Sequence, residues 1–256
     1  MFNTTTRKTN IIASTGTMTY RNLLKTLHNP DELLDVVVQP ALFMLLFGYL
    51  FSGAIYGSVS SYLKILVPGI LMQSLISAAA GSATQISTDI HSGIYDRLKS
   101  LPIPQVAPLA GQLFADILRL AVAATAALTT GYLMGWHPEA GLGWLIMVIF
   151  LDIFLGWALS WIFALYGLVA KSPTLVESVS LMTMLVFLSN AFVPVKSLPH
   201  FMRILVTINP VSHVISANRA MLNAGYWPRE AWIVLCAGIG IVAVFAPITV
   251  LVYKRK

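Results

Sequence analysis

The chain of 256 residues is 57% hydrophobic and only 10% charged, against about 25% charged in a soluble domain, so it cannot clothe a water-exposed surface of its own. Its net charge of +6 would raise nucleic acid as a partner for a soluble protein, but the basic residues fall mostly in short loops and at the two ends, the pattern of membrane topology, and nucleic-acid binding is set aside. The bilayer is the solvent for most of the chain, and Cys236, its one cysteine, permits neither an intrachain disulfide nor a thiolate metal site.

In chain order, residues 1–14 are polar and lack the apolar core of a cleavable signal peptide. Within 10–29, Tyr20, Leu23, Leu24 and Leu27 recur at i, i+3, i+4 and i+7, with Arg21, Lys25 and His28 on the remaining face. That spacing predicts an amphipathic helix lying along the lipid interface, stopped at Asn29-Pro30 because proline disfavours helical geometry in the residue before it. It serves as an anchor or takes part in gating. A helix needs about 20 apolar residues to cross the hydrocarbon core. Six stretches approach or exceed that length: 36–51, 63–84, 106–134, 142–169, 175–193 and 232–253.

Between the second and third stretches, 87–104 is hydrophilic. Ile90, Ile94, Leu98 and Leu101 share one face of a short helix, opposite Asp96, Arg97 and Lys99, and Pro102 and Pro104 block its continuation. Such a helix is either a solvated loop or something a partner protein grips in a groove. In the third stretch Asp116 and Arg119 are three residues apart on one face and can pair, as a structural pair, at an interface, or along a pathway. Asp152 in the fourth has no partner close in sequence and can lie near the external surface or line a pathway. From 194 to 227, Pro194, Pro199 and Pro210 delimit two short helices, too apolar for a free loop and too short to cross. They read as external re-entrant or interfacial helices packed on the span ends.

Arg7, Lys8, Arg21, Lys25, Arg97, Lys99, Lys171, Lys254, Arg255 and Lys256 fall on one side, and Lys64, Lys196, Arg203, Arg219 and Arg229 on the other. The richer side is expected to be cytoplasmic, with both termini on it, as six spans require. The sequence thus predicts an all-α integral membrane protein of six transmembrane helices, forming a single domain over 1–256 in the inner (plasma) membrane. No phosphate loop of the form G-x-x-x-x-G-K-[S/T] is present, so ATP-driven transport requires a nucleotide site on another subunit. The scattered histidines show no metal spacing, and no serine sits in a nucleophile elbow. Neither a catalytic residue, a metal ligand nor a cofactor of the chain's own is expected. Asp116, Arg119 and Asp152 keep an ion-coupled transporter as the alternative.

The stretches V-V-Q-P-A-L-F-M-L-L-F-G-Y-L-F (37–51), Y-L-K-I-L-V-P-G-I-L (62–71), G-I-Y-D-R-L-K-S-L-P-I-P (93–104), L-S-N-A-F-V-P-V-K-S-L-P (188–199) and I-N-P-V-S-H (208–213), in that order and spacing, resemble the permeases of type-2 ABC exporters. Within that ABC-2 family the resemblance is to the daunorubicin-resistance and multidrug export permeases. Asn190 stands where a small residue such as glycine is expected. The resemblance implies export of a hydrophobic or amphipathic molecule, or else a lipid-linked saccharide. It also implies a second permease chain, as a homodimer, and two ATP-binding subunits holding ATP and Mg. It further implies that 87–101 is the coupling helix, with Ile94, Tyr95, Asp96, Arg97, Leu98 and Lys99 meeting the ATP-binding subunit.

Overall fold

The computed structural model describes residues 10–28, 34–55, 57–170, 172, 186–193, 195 and 198–255. Among them the chain is helical, without strands, and five helices are long and apolar enough to cross a membrane. These are Val36–Gly53, Val59–His91, Ala107–Leu133, Leu142–Val169 and Arg229–Arg255, which match the first four and the last of the expected stretches. The stretch expected at 175–193 lies largely outside the described residues.

Helix α1, Ile11–Leu27, begins where the Asn10 side chain accepts a hydrogen bond from the Ile12 amide, 3.2 Å away, satisfying one of the donors left over at a helix start. Its buried stripe is Ser14, Met18 and Asn22, while Tyr20 is exposed. Tyr20, on the stripe expected to lie along lipid, thus points away from the face that packs on protein. Small residues decide the contact: a Cβ added to Gly111 would lie 2.5 Å from that of Met18, so the two backbones meet where side chains are absent.

A π-helical turn, Leu34–Val38, runs into α2, Gln39–Ile55. Next comes α3, Val59–His91, whose 33 residues make it about 50 Å long at ~1.5 Å per residue. Most of α3 is buried, and Tyr62, Leu63, Leu66, Ile70, Leu71 and Leu75 are fully so, placing it at the centre of the bundle. Apolar burial alone does not drive helices together in lipid, so close approach through small residues carries more of the load. At the crossing of α3 with the later helix Leu142–Val169, a Cβ on Gly167 would sit 2.5 Å from the Ala83 carbonyl oxygen.

Pro68 lies inside α3 and cannot donate to the carbonyl four residues earlier. That carbonyl, of Lys64, is taken instead by Asn223 Nδ2 at 3.1 Å. Its neighbour Ile65 O accepts from Arg219 Nη2 at 2.9 Å and Nε at 3.3 Å.

The expected helix at 87–101 is divided. Helix α3 continues through His91, Gly93 turns the chain with φ +71°, and α4 occupies only Ile94–Lys99. Helices α5, Ala107–Leu133, and α6, Leu142–Val169, follow. The expected external segment contains α7, His200–Ile208, and α8, Pro210–Arg219, divided at Asn209. Asn209 Oδ1 caps the second by accepting from the Val211 amide at 2.9 Å, while its Nδ2 donates to Leu188 O at 3.0 Å. A π-helical turn, Ala220–Ala224, then leads through Gly225 toward α9, Arg229–Arg255.

Candidate coupling segment and buried charges

At one end of the bundle, α4 leaves Asp96, Arg97 and Lys99 exposed. Its buried side chain is Tyr95, while Ile94 and Leu98 of the expected apolar face are half-buried and Leu101 is exposed. The Tyr95 hydroxyl donates to the Tyr253 carbonyl at 2.5 Å, and the two rings meet edge to face at 5.0 Å. Helix ends leave carbonyls unpaired, so the phenol of α4 caps the end of α9. Lys99 Nζ lies 4.7 Å from the Tyr95 ring centroid, a distance at which the ring attracts the cation. Burial raises the Tyr95 hydroxyl above its usual pKa of 10.0, and the neighbouring charge of Asp96 adds to the shift.

Sequence reading passed over Asp89, just before this segment. Its carboxylate accepts from Lys25 Nζ at 2.7 Å and Arg21 Nη2 at 3.4 Å, joining the basic face of α1 to the end of α3. The signal was the i, i+4 pair of cations on α1, which needed an acid from elsewhere.

Asp116 and Arg119 do pair, Oδ1 to Nη2 at 2.6 Å, and both are buried. Around them lies a polar network that no local spacing announced. Ser82 Oγ donates to Asp116 Oδ2 at 2.5 Å and accepts from Arg119 Nη2 at 3.0 Å. Gln112 Nε2 reaches Asp116 Oδ1 at 3.2 Å and also bonds Gln85 Oε1. Gln85 Nε2 in turn donates to Thr26 Oγ1 at 3.1 Å. Three helices, α1, α3 and α5, are thus tied through hydrogen bonds that each supply what the next lacks.

Toward the opposite end, Asp152 is fully buried in α6, and its partner is Asn218 of α8, whose Nδ2 donates to Asp152 Oδ2 at 2.8 Å. Arg219 beside it holds the Asn190 carbonyl at 2.6 Å and that of Ala191 at 3.1 Å, in addition to Ile65 O. Asn190 itself donates to Ser216 Oγ at 2.9 Å, so an amide at this position makes a bond that glycine could not. The structure brings Asp116 to Arg119 and leaves Asp152 apart from both, on a different helix with a different partner. Among the described residues no cluster of three or more His, Cys, Asp or Glu can hold a metal ion.

The pattern that defines the ABC-2 type transporter matches residues 13–223. The chain is 37% identical over 249 residues to the daunorubicin resistance ABC transporter permease protein DrrB1 of Streptomyces coeruleorubidus, covering 96% of this chain and 87% of that one. It is 27% identical over 235 residues to the "Probable doxorubicin resistance ABC transporter permease protein DrrC" of Mycobacterium tuberculosis, covering 90% and 85%. A shorter match, 28% identical over 150 residues, covers 56% of the chain and 52% of the doxorubicin resistance ABC transporter permease protein DrrB of the same organism.

Proposed function

The chain belongs to the ABC-2 type transporter family, and on that premise we propose that it is the membrane-spanning permease of an ATP-driven exporter moving a hydrophobic or amphipathic molecule, drug-like or lipid, out of the cytoplasm. ATP and Mg are held by a separate subunit in two copies, and a second copy of this chain completes the pore. The α4 end of the bundle faces the cytoplasm, as do both termini.

The observation that carries this reading is the construction of α4. It is a short helix with three charged side chains turned outward, pinned from beneath by one hydrogen-bonded aromatic. A segment that only linked two spans would need no such anchor. Anchored as it is, a push on Asp96, Arg97 or Lys99 passes to the ends of α3 and α9 instead of being absorbed by a loose loop. In an interface of this kind a few apolar anchors carry most of the energy and the rim charges set orientation. Ile94 and Leu98, half-buried within the chain, still offer apolar surface to a groove.

The test is Leu98→Asp, reconstituted with the ATP-binding partner, with complex recovery, ATPase stimulation and efflux measured together. Placing a carboxylate without a partner in a closed groove is strongly unfavourable. Recovery and efflux should fall while insertion is retained. Parental values for all three would show that α4 is simply solvated.

A further inference from the structure

Asp152 of α6 and Asn218 of α8 are both fully buried, and their one bond runs from Asn218 Nδ2 to Asp152 Oδ2 at 2.8 Å. The other oxygen of each, Asp152 Oδ1 and Asn218 Oδ1, is buried as well and has no donor among the described residues. Two groups already bonded to each other thus each keep one orphan acceptor. A buried acceptor without a donor forfeits the bond that water would have given it.

Neighbouring cations do not make up the loss. The ion pairs among the described residues join Arg21 and Lys25 to Asp89, Lys64 to Glu139 and Arg119 to Asp116, and none reaches Asp152. Arg219, next in sequence to Asn218, donates to the carbonyls of Ile65, Asn190 and Ala191. His213 of α8 lines an apolar cavity with Leu155 and Val214. On α9, Arg229, Lys254 and Arg255 are exposed at the two ends. A carboxylate left alone inside a span is costly, and a group so placed sheds its charge rather than keep it.

A single proton removes all of these defects. An ionised carboxylate can only accept, whereas a protonated one carries an O–H donor. Carboxyl and carboxamide are planar groups of the same shape, each with two polar atoms on one carbon. In a coplanar pair, a bond from the amide nitrogen to one carboxyl oxygen sets the remaining two oxygens opposite each other. A proton on Asp152 Oδ1 then donates to Asn218 Oδ1, satisfies both orphans and leaves no charge in the span.

We infer that Asp152 holds a proton on Oδ1 and docks α8 on α6 as a neutral acid-amide pair with Asn218, each group donating one hydrogen bond to the other. The inference goes beyond the export reading and does not depend on it. With Arg219 gripping Ile65 O from the adjacent position, two consecutive residues of α8 tie it to α6 without charge and to α3 with one. Asp152 is thereby a positioning residue and not a counter-charge for cargo.

The test uses the full-length permease in lipid nanodiscs at neutral pH. The infrared difference spectrum of the parent minus Asp152→Asn should contain the carbonyl stretch of a protonated carboxyl, which a carboxylate lacks, and Asn218→Leu should displace that band. Asparagine can reproduce both bonds, its Nδ2 donating to Asn218 Oδ1 and its oxygen accepting from Asn218 Nδ2. Asp152→Asn should therefore unfold close to the parent, while Asp152→Ala, without either bond, should raise the unfolded fraction roughly 5- to 30-fold. No carboxyl band, or an Asp152→Asn protein that is as unstable as Asp152→Ala or does not fold, would overturn the inference, because the site would then need the charge. A missing band together with an unfolding midpoint that rises with sodium or potassium would also overturn it and would put a metal cation where the proton is assigned.

Discussion

Replacing Arg119 or Asp116 with alanine removes one charge from a buried pair and strands the other. Breaking such a pair costs about 3–5 kcal/mol, and the geometry says which change lies at which end of that range. Without Arg119, the Asp116 carboxylate still accepts from Ser82 and Gln112, so the loss should be near ~3 kcal/mol. Without Asp116, the guanidinium keeps Ser82 Oγ among the described residues, and its Nε is already unpaired, so the loss should approach ~5 kcal/mol. The double change strands no charge and should cost no more than Arg119→Ala alone. A double-mutant cycle on unfolding in mixed micelles measures the coupling directly. Residues that do not interact give single losses that add within ~0.5 kcal/mol, and that result would refute the reasoning.

Tyr95→Phe keeps the ring and removes only the bond to the Tyr253 carbonyl, so amides of α4 should exchange faster, by the ~1 kcal/mol of one net hydrogen bond, with no change in the spans. Because the folded-state pKa of Tyr95 is raised above its usual 10.0, the stability linked to its protonation is fully present below pH 10 and lost as pH rises through the folded value; an alkaline titration of α4 exchange, parent against Tyr95→Phe, checks this. Gly167→Ala would drive a methyl into the Ala83 backbone and should cost ~1–3 kcal/mol, read as a lowered unfolding midpoint. With Cys236→Ala as background, a cysteine at Ser58 should react with an impermeant thiol reagent from outside intact cells and one at Lys99 should not; labelling of Lys99 from outside would reverse the topology.

Long apolar runs made five spans legible, because a bilayer imposes both length and composition on whatever crosses it. The i, i+3 spacing likewise gave the Asp116 and Arg119 pair, since it sets both side chains over one face. Spacing could not give Asn218 as the partner of Asp152, 66 positions away, or Thr26 at the end of the α3 network. Those contacts depend on which helices become neighbours. Periodicity also left two inner faces unmarked. In α1 it marked Tyr20, Leu23, Leu24 and Leu27 for the lipid, and the contact with protein is made by Met18 against Gly111. In α4 it marked Ile94 and Leu98 for a partner, and the contact within the chain is made by Tyr95, whose hydroxyl meets the Tyr253 carbonyl at the end of α9. A period reports how apolar a face is and says nothing of where small residues or orphan acceptors wait on a neighbour.

The proline in α3 has a consequence for biosynthesis. The donors that serve Lys64 O and Ile65 O belong to Asn223 and Arg219, 159 and 154 positions later. At a translation rate of about 5–20 residues per second, the ribosome needs roughly ten to thirty seconds to reach them. Over that interval α3 has been made but the Lys64 carbonyl freed by Pro68 lacks its final donor, as Ile65 O lacks the guanidinium that meets it, and an unsatisfied backbone group in hydrocarbon costs several kcal/mol. The central helix of the bundle therefore gains these side-chain donors only after most of the protein has been synthesised. A nascent chain halted before Arg219 would lack α9 and would also leave the Lys64 carbonyl without Asn223.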